Sequence, residues 1–470
     1  MREIELFFEN GVLRLDHCDP AAVPTAAARM IRVDPRGGVV RARACDYAPL
    51  LLELMASGIR VRDHAKAFAP LDLVLRKNLV PRPHQTRALE AWRAGGGRGV
   101  AALPTGAGKT ILAVMAMAAI RRPTLVLVPT IDLLQQWTGV LENWFGIPVG
   151  MLGGGEHEVA PVTVSTYDSA VLQMEFIGSR FGLLIADECH HLPGPVYRTA
   201  AEMAIAPYRL GLSATPESGD ERDALLEDLL GPILCRVEID ELEGKYLSNY
   251  RTVRLEIPLE PDELEAYTAS RAVYVNFIRR NGITFRRNED WGRFLMLCAR
   301  RPEGRKVLEA FLEQRRIARG GRAKIAKVWD LIQRHPGERT LVFTADNAAA
   351  YRIGRDFALP VITHHTGARE RKDFLDAFRA GRYPVLVTSK VLNEGIDVPE
   401  ASVGIVLSGS GSVREHVQRL GRILRPGKGK EQAVLYELVS AGTSEEGVSS
   451  RRREHRAYRV KQHGGEEKSC

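Results

Sequence analysis

Residues 103–110 read LPTGAGKT, and this stretch decides the fold class of the chain. It follows the apolar, strand-like run GVAAL (99–103) and leads into the helical run ILAVMAMAAI (111–120). A glycine-containing turn between a strand and a helix presents backbone N–H groups to an anion. Leu103 stands where the general motif has its first glycine, so the prediction depends on GAGKT and its strand-to-helix setting. The stretch predicts a phosphate-binding loop in an α/β domain.

Outward from this loop, short apolar runs alternate with helical stretches in two series. The first, between about residues 71 and 240, contains GVAAL, TLVLV, VTVST, FGLLIAD and YRLGLSA. The second starts near Arg322 and contains TLVFTA, LPVITHH, YPVLVTS, ASVGIVLS and AVLYEL. Regular alternation of strand and helix predicts a parallel sheet with helices on both faces. We therefore predict an α/β protein with two tandem parallel-sheet domains.

Three further segments accompany these two domains. Strand-like alternation around a turn at Asn10-Gly11 predicts a small α+β domain at the N-terminus. The segment 241–321 lacks apolar β-runs and is rich in Arg, which predicts a helical insert. Beyond about Ser440 the chain turns polar, which predicts a loosely ordered tail. The predicted segments are 1–70, 71–240, 241–321, 322–440 and 441–470.

The composition is that of a globular protein, with 45% hydrophobic and 26% charged residues, and excludes the disordered and fibrous classes. A net charge of +8 and a pI near 9.2 favour an anionic partner, although an ordinary solvated surface also fits this charge. The six cysteines show no paired spacing, which predicts reduced thiols. The N-terminus lacks a signal-peptide pattern and no apolar run is long enough to span a membrane, so we expect a cytoplasmic protein.

Two motifs of the first domain carry charged side chains suited to ATP and Mg²⁺. Lys109 could reach the β and γ phosphates, and Thr110 could offer its hydroxyl to Mg²⁺. Asp187 and Glu188 end the run LLIAD, at the sheet edge where ligands bind. Asp187 would hold Mg²⁺, and Glu188 would orient and deprotonate the attacking water. The predicted nucleotide-binding residues of the loop are Thr105, Gly106, Ala107, Gly108, Lys109 and Thr110.

Weaker candidates surround these motifs. Arg82 and Gln85 precede a helix upstream of the loop, where Gln85 could read the adenine edge or simply serve the helix start. Cys189, His190 and His191 have the chemistry of zinc ligands, but three consecutive residues cannot easily converge on one tetrahedral ion. We therefore expect a hydrogen-bonding role for the two histidines.

The second domain supplies VQRLGRILRPG (417–427), with Gln418, Arg419, Arg422 and Arg425 at near-helical spacing. A guanidinium from outside the phosphate loop can neutralise charge that develops on the γ phosphate. We predict that Arg422 and Arg425 do so and that Gln418 assists them. The alternative is a basic, solvated helix face.

The ordered series of motifs resembles that of the superfamily 2 helicases. The matching stretches, from about Arg82 to Pro426, are LPTGAGKT, VPTIDLLQQW, DECHH, LSATP, LVFTADN, SKVLNEGIDVPEA and QRLGRILRPG. Within that superfamily the chain is most similar to the XPB-type DNA repair helicases, because of RPHQ, DECHH, QRLGRILRP and RVEIDELEGKYLSNY. The resemblance implies two RecA-like domains, a damage-recognition-like domain at 1–70 and a thumb-like element at 241–321.

The resemblance also implies a function and further site residues. It implies an ATP-dependent, 3′-to-5′ DNA helicase or translocase for DNA repair, which acts as a monomeric motor, with ATP and Mg²⁺ as cofactors and a nuclease as a partner. His190, Ser213 and Thr215 would couple the state of the nucleotide to contacts between the domains. The residues implied at the nucleic acid or between it and the nucleotide are Thr130, Thr388, Gly395 and Asp397.

One departure from the family bears on duplex opening. XPB-type helicases carry an Arg-Glu-Asp motif soon after LSATP, whereas Glu221-Arg222-Asp223 has that composition in another order. A DNA-binding role for these three residues is therefore an expectation from composition. A duplex translocase or remodelling-type motor without processive unwinding, and an RNA helicase, stay open as alternatives. A non-catalytic scaffold is disfavoured because all the residues expected for hydrolysis are present together.

Overall fold

The structure is a computed structural model that describes residues 3–35, 37–242, 246, 249–285, 289–389, 401–408 and 432–453. The described chain divides into two compact units, of which the first ends at Glu241 and the second begins at Leu242. Within the described residues, none of the helices is both long enough and apolar enough to cross a membrane.

The N-terminal part of the first unit is a five-stranded sheet with the order β3-β4-β2-β1-β5 and two helices. Asn10 and Gly11 have φ of 50° and 80° and form a two-residue hairpin loop between the first two strands, as the sequence predicted. A side chain on Gly11 would lie only 2.8 Å from Met203. The elements are β1 (Ile4–Glu9), β2 (Val12–Asp16), α1 (Thr25–Met30), β3 (Ile31–Val33), β4 (Val40–Arg43), α2 (Tyr47–Ala56) and β5 (Val61–Asp63).

The rest of the first unit is built on an eight-stranded sheet. Its strands are β6 (Arg98–Ala102), β7 (Thr124–Val128), β8 (Gly150–Gly153), β9 (Glu156–His157), β10 (Val162–Thr166), β11 (Leu183–Asp187), β12 (Tyr208–Ser213) and β13 (Ile233–Arg236). Their order is β13-β6-β12-β11-β7-β10-β8-β9, and every pair except β8 with β9 is parallel. The strands β7, β10 and β11 are buried throughout, because helices cover both faces.

Seven helices accompany this sheet. They are α3 (Pro83–Ala94), α4 (Lys109–Ile120), α5 (Ile131–Phe145), α6 (Tyr167–Ile177), α7 (Arg198–Glu202), α8 (Glu221–Leu230) and α9 (Ile239–Leu242). Because β6, β11 and β12 run parallel, their carboxyl ends meet at one edge of the sheet. This edge, called the nucleotide edge below, receives the phosphate loop after β6 and the Asp187-Glu188 pair after β11.

The second unit contains a six-stranded, all-parallel sheet of order β14-β19-β18-β15-β17-β16. Its strands are β14 (Asn249–Ile257), β15 (Thr340–Phe343), β16 (Val361–Ile362), β17 (Val385–Thr388), β18 (Val403–Val406) and β19 (Gln432–Ser440). Its helices are α13 (Arg322–Arg334), α14 (Asn347–Phe357), α15 (Ala368–Arg379) and α16 (Ser444–Arg453). The predicted fold class, with two parallel-sheet domains, is confirmed.

Between β14 and α13 the chain forms the helical insert. Its helices are α10 (Pro261–Arg280), α11 (Glu289–Arg300) and α12 (Gly304–Gly320). The prediction that the insert begins at residue 241 is wrong, because β14 pairs along its whole length with β19 and belongs to the sheet. The sequence NYRTVRLEI hides this strand, since an edge strand with interspersed charges shows no continuous apolar run.

The segment after β19 also corrects a prediction. Residues 441–470 were expected to form a loosely ordered tail, but 444–453 form α16. The Nζ atom of Lys324, which is 1% exposed, donates to Glu445 Oε2 at 2.7 Å. The backbone N–H of Ser444 donates to Tyr267 OH at 2.9 Å. One polar residue of this segment, Glu445, thus pairs with a buried charge; residues 454–470 lie outside the described residues.

Candidate nucleotide site

The phosphate loop connects β6 with α4, as the sequence predicted. Gly106 and Gly108 have φ of 86° and 84°, in the left-handed region that favours glycine. Gly108 is the N-cap of α4, and Lys109 and Thr110 form the first turn of that helix. A Cβ atom on Gly108 would lie 2.3 Å from Gln85 Nε2. Both backbone conformation and space therefore require glycine at this position.

Residues at the start of α3 form hydrogen bonds with the backbone of the phosphate loop. Gln85 Nε2 donates to the carbonyls of Ala107 at 3.1 Å and Gly108 at 3.3 Å, and Gln85 Oε1 accepts from Arg82 N at 2.9 Å. His84 Nε2 donates to Ala107 O at 2.8 Å. Gln85 is 2% exposed, so its amide holds the loop in this structure and helps to cap the helix. Contact of Arg82 or Gln85 with a nucleotide stays a prediction.

Lys109 and Glu188 bring the two predicted motifs together at the nucleotide edge. Lys109 Nζ lies 2.9 Å from Glu188 Oε1, and both side chains are largely buried. Burial alone would lower the pKa of Lys109, but the carboxylates of Glu188 and Asp187 outweigh it, and the pKa is raised. Lys109 is therefore a permanent cation within reach of any phosphate bound by the loop.

Asp187 is the last residue of β11 and is 6% exposed. Trp137 Nε1 donates to its Oδ2 at 2.8 Å, and the backbone N–H of Glu188 donates to its Oδ1 at 3.0 Å. Burial and the charge of Glu188 raise the pKa of Asp187 to about 6. Trp137 was not predicted as a site residue. Its indole on α5 looks like ordinary core in the sequence, and only the tertiary fold brings it to the carboxylate.

Glu188 has a left-handed backbone, with φ of 46°, which costs conformational energy for a residue with a side chain. Its Oε2 lies 3.5 Å from His190 Nδ1, and the same His190 atom shares a hydrogen bond with Ser213 Oγ at 3.1 Å. Ser213 Oγ also accepts from the backbone N–H of Thr215 at 3.2 Å. The structure thus joins the three predicted coupling residues to Glu188 in one chain of contacts.

The residues after Glu188 have the chemistry of zinc ligands, but the sequence predicts a hydrogen-bonding role for the histidines. Cys189 and His190 are buried, and the rings of His190 and His191 lie 4.2 Å apart. Over the described ranges, no group of three or more His, Cys, Asp or Glu residues has the geometry of a metal site.

The donor set suits one Mg²⁺ together with a nucleotide. Asp187 is buried, the adjacent Glu188 is largely buried, and the positive charge of Lys109 interacts with both carboxylates. A hard divalent cation prefers carboxylate and hydroxyl oxygens, which Asp187 and Thr110 would offer. Burial and the charge of Glu188 raise the pKa of Asp187, so a cation at this edge would stabilise its charged form. The residues present therefore fit Mg²⁺.

Two threonines were implied as contacts of a nucleic-acid strand. Thr130 is the N-cap of α5, where its hydroxyl accepts from Leu133 N at 3.3 Å, and its strand contact stays a prediction. Thr388 does not fit that role, because its side chain is 0% exposed and its hydroxyl donates to Ser389 O at 2.9 Å. A phosphate could not reach this buried hydroxyl without rearrangement.

The triplet Glu221-Arg222-Asp223 forms the first turn of α8. Arg222 makes a two-pronged ion pair with Asp220, with distances of 2.7 to 3.0 Å. Asp223 accepts from the backbone N–H groups of Ser218 at 2.6 Å and Gly219 at 2.9 Å. These contacts shape the loop before α8, so two of the three side chains have structural partners. DNA binding by this triplet stays a prediction.

Five predicted site residues lie outside the described residues: Gly395, Asp397, Gln418, Arg422 and Arg425.

Three protein-family models match the chain. Residues 78–218 match the type III restriction enzyme, res subunit. Residues 323–463 match the ERCC3/RAD25/XPB C-terminal helicase. Residues 6–65 match the Xeroderma pigmentosum group B helicase damage recognition domain.

Curated relatives and solved structures agree with these matches. The DNA 3′-5′ translocase XPB2 of Sulfurisphaera tokodaii is 39% identical over 412 residues, which are 85% of this chain and 93% of the relative. The DNA 3′-5′ helicase XPB of Mycobacterium tuberculosis is 33% identical, and the match covers 76% of this chain and 60% of that protein.

Two solved structures share the fold at low sequence identity. The helicase domain of Pyrococcus furiosus Hef is 19% identical, with a TM-score of 0.56 over 80% of this chain and 99% of that chain. S. cerevisiae Dbp5 bound to RNA and ADP BeF3 is 15% identical, with a TM-score of 0.55 over 80% of this chain and 87% of that chain. The family models, the relatives and the fold point to one conclusion: the chain belongs to the XPB family of superfamily 2 helicases.

Proposed function

We propose that the chain is an ATP-dependent, 3′-to-5′ DNA helicase or translocase that acts in DNA repair. The observation that carries the proposal is the 2.9 Å contact between Lys109 Nζ and Glu188 Oε1, beside the buried carboxylate of Asp187. In this arrangement Lys109 would supply a cation for phosphate and Glu188 a base for water, at one edge of the sheet. The names of the relatives support DNA as the substrate and 3′-to-5′ as the direction.

Lys109 changes partner in the proposed reaction. Its ammonium donates to Glu188 in this structure, and the γ phosphate of ATP would compete for the same ammonium. Release from Lys109 leaves Glu188 able to accept a proton from the attacking water. Thr110 and Asp187 would hold Mg²⁺, and the group would supply positive charge to the phosphates when bound. The ion pair of Lys109 and Glu188 would therefore keep Glu188 from acting as a base until ATP binds.

The chain of contacts from Glu188 to Thr215 would transmit changes at the nucleotide to residues outside the site. His190 touches both Glu188 and Ser213, so a shift of the Glu188 carboxylate changes the surroundings of the motif LSATP. We keep Arg422, Arg425 and Gln418 as the proposed partners of the γ phosphate, and Gly395 and Asp397 as proposed residues between nucleotide and DNA. A nuclease partner stays a prediction.

A duplex translocase without processive unwinding is the second candidate. The observation that favours it is the engagement of Arg222 and Asp223 with their own loop, where the family has a motif for opening the duplex. The relative from Sulfurisphaera tokodaii also carries the name of a translocase. An RNA helicase has no such support.

Two measurements test the proposal. ATP hydrolysis by the whole chain should be stimulated by DNA and not by RNA, and Lys109→Ala should abolish the stimulated rate. Hydrolysis that survives in Lys109→Ala would show that the site is wrongly assigned. Strand displacement on a 3′-tailed duplex then separates the candidates, because a translocase displaces a third strand or a bound protein yet leaves the duplex intact.

A further inference from the structure

The helical insert holds much of the net positive charge of the protein. Its helices, residues 261–320, contain thirteen Lys and Arg residues and eight Asp and Glu residues, a net charge of +5 out of +8 for the whole chain. Exposed arginines such as Arg279 and Arg280 stand at the end of α10, and form no ion pair within the described residues. Such a concentration of charge favours a polyanion.

The same insert carries a cluster of aromatic rings. The central ring is Phe294, which is 0% exposed and lies within 6.2 Å of the other rings, measured between ring centroids. The surrounding rings are Tyr274, Phe277, Phe285, Trp291 and Phe311. The cluster is the small core of the insert.

Two rings of this cluster are open to solvent, and we call them the aromatic edge. Phe285 is 38% exposed and Trp291 is 40% exposed, with 6.3 Å between their ring centroids. Trp92 and Trp137 of the first unit are, by contrast, 1% and 2% exposed. Phe285 has φ of 51°, a strained conformation for a bulky residue. The fold therefore keeps a partly exposed aromatic ring packed against the cluster at a cost in backbone energy.

Positive charge lies beside the aromatic edge. The guanidinium of Arg315 is 5.1 Å from the centroid of Phe311, whose ring is 5.2 Å from Trp291. Arg293 is exposed one helical residue away from the buried Phe294. Asp290 precedes Trp291, so the edge is not purely basic. Aromatic rings next to arginines are the arrangement that proteins use to stack nucleic-acid bases while binding phosphates.

We propose that Phe285 and Trp291 stack against an unpaired base of a DNA strand held by the basic insert. The proposal rests on the proposed function and names the contact that the insert makes. Stacking suits a motor, because every base has a π-face and no sequence is read. The charge of the insert favours nucleic acid over an apolar protein partner, since the cores of protein interfaces are depleted in charge.

Binding to two single strands of equal length tests the proposal. One is oligothymidylate and the other is the same phosphodiester chain with abasic sites. Trp291→Ala should weaken binding to oligothymidylate about tenfold and leave binding to the abasic strand unchanged. Trp291→Phe should keep most of the affinity. Leu295→Ala is the matched control, because Leu295 lies one turn along α11, is 39% exposed and has no ring.

Two outcomes would overturn the proposal: Trp291→Ala weakens binding to both strands equally, or it weakens binding to neither strand. ATP hydrolysis without DNA reports whether each variant is folded. Tryptophan fluorescence of the whole chain gives a second readout, since oligothymidylate and not the abasic strand should quench it, and Trp291→Phe should remove the quenching. Wild-type protein that binds DNA without a base-dependent difference defeats only this inference; wild-type protein that binds no DNA defeats the proposed function as well.

Discussion

The nucleotide edge and the helical insert both depend on charge, but they hold it in opposite surroundings. At the nucleotide edge Lys109, Asp187 and Glu188 are buried, and each has partners at defined distances. In the insert the charges are numerous and mostly exposed, as in the pair of Glu313 and Arg316 at 2.7 Å. Water screens the interactions of an exposed charge, whereas the interactions of a buried charge stay strong.

The difference fits two kinds of task. Hydrolysis needs a few groups with altered protonation and fixed positions, and burial raises the pKa of Asp187 to about 6. Holding a strand that moves needs many weak and replaceable contacts, which exposed arginines provide. A single substitution should therefore have a large effect at the nucleotide edge and a small one in the insert.

The largest expected effect is that of Glu188→Gln. Glutamine keeps the size of the side chain but cannot accept a proton from water, so DNA-stimulated ATP hydrolysis should fall by about a thousandfold. Binding of ATP should persist, because Lys109 and the loop are unchanged. Phosphate release and nucleotide binding measure the two effects. Glu175→Gln, at an exposed position of α6, is the control and should match wild type. Equal loss of binding and hydrolysis would contradict the assignment of Glu188 as the base.

An intermediate effect is expected for Trp137→Phe, which removes the donor to Asp187 Oδ2. A buried carboxylate that loses a donor should lower the free energy of unfolding by about 1 to 3 kcal/mol. Trp92→Phe is the matched control, because Trp92 Nε1 donates to a neutral carbonyl, that of Arg209, at 2.8 Å. Both changes remove the same ring atoms. Urea unfolding followed by circular dichroism should show a greater loss of unfolding free energy for Trp137→Phe than for Trp92→Phe. The reverse order would refute a special role for the Trp137 donor.

The smallest effect is expected for Glu313→Gln in the insert. The hydrogen bond from Arg316 lowers the pKa of Glu313, so the pair contributes stability at pH values above the usual carboxyl pKa. That contribution should disappear as the pH falls through the lowered pKa. With both side chains exposed, the loss at pH 7 should be at most about 0.5 kcal/mol.

Thermal unfolding of wild type and of Glu313→Gln, between pH 7 and pH 3, measures this difference in stability. Glu265→Gln is the control, since Glu265 makes no ion pair in the described part of the chain. A loss of stability for Glu313→Gln that persists unchanged at pH 3 would show that packing and not charge is responsible.

Strands that are buried on both faces were visible in the sequence, whereas the edge strand was not. The runs TLVLV and VTVST became β7 and β10, because a strand in the middle of a covered parallel sheet must be apolar throughout. The strand β14, which lies at the edge of the sheet in the described part of the chain, carries arginines, so its sequence resembles that of the insert. The helix α16 was missed for a related reason: Glu445 is polar, yet its partner Lys324 is buried.

The site divides in the same way. The phosphate loop, the pair Asp187-Glu188 and the order of the motifs can be predicted from the residues alone, because glycines and charged residues at fixed spacing have few other uses. The donation from Trp137 to Asp187, the burial of Thr388 and the contact of Lys109 with Glu188 depend on the folded chain. Local spacing specifies which groups a motif contains. The partners of a buried group come from distant parts of the chain, since a buried charge must be paired wherever the fold can supply a donor.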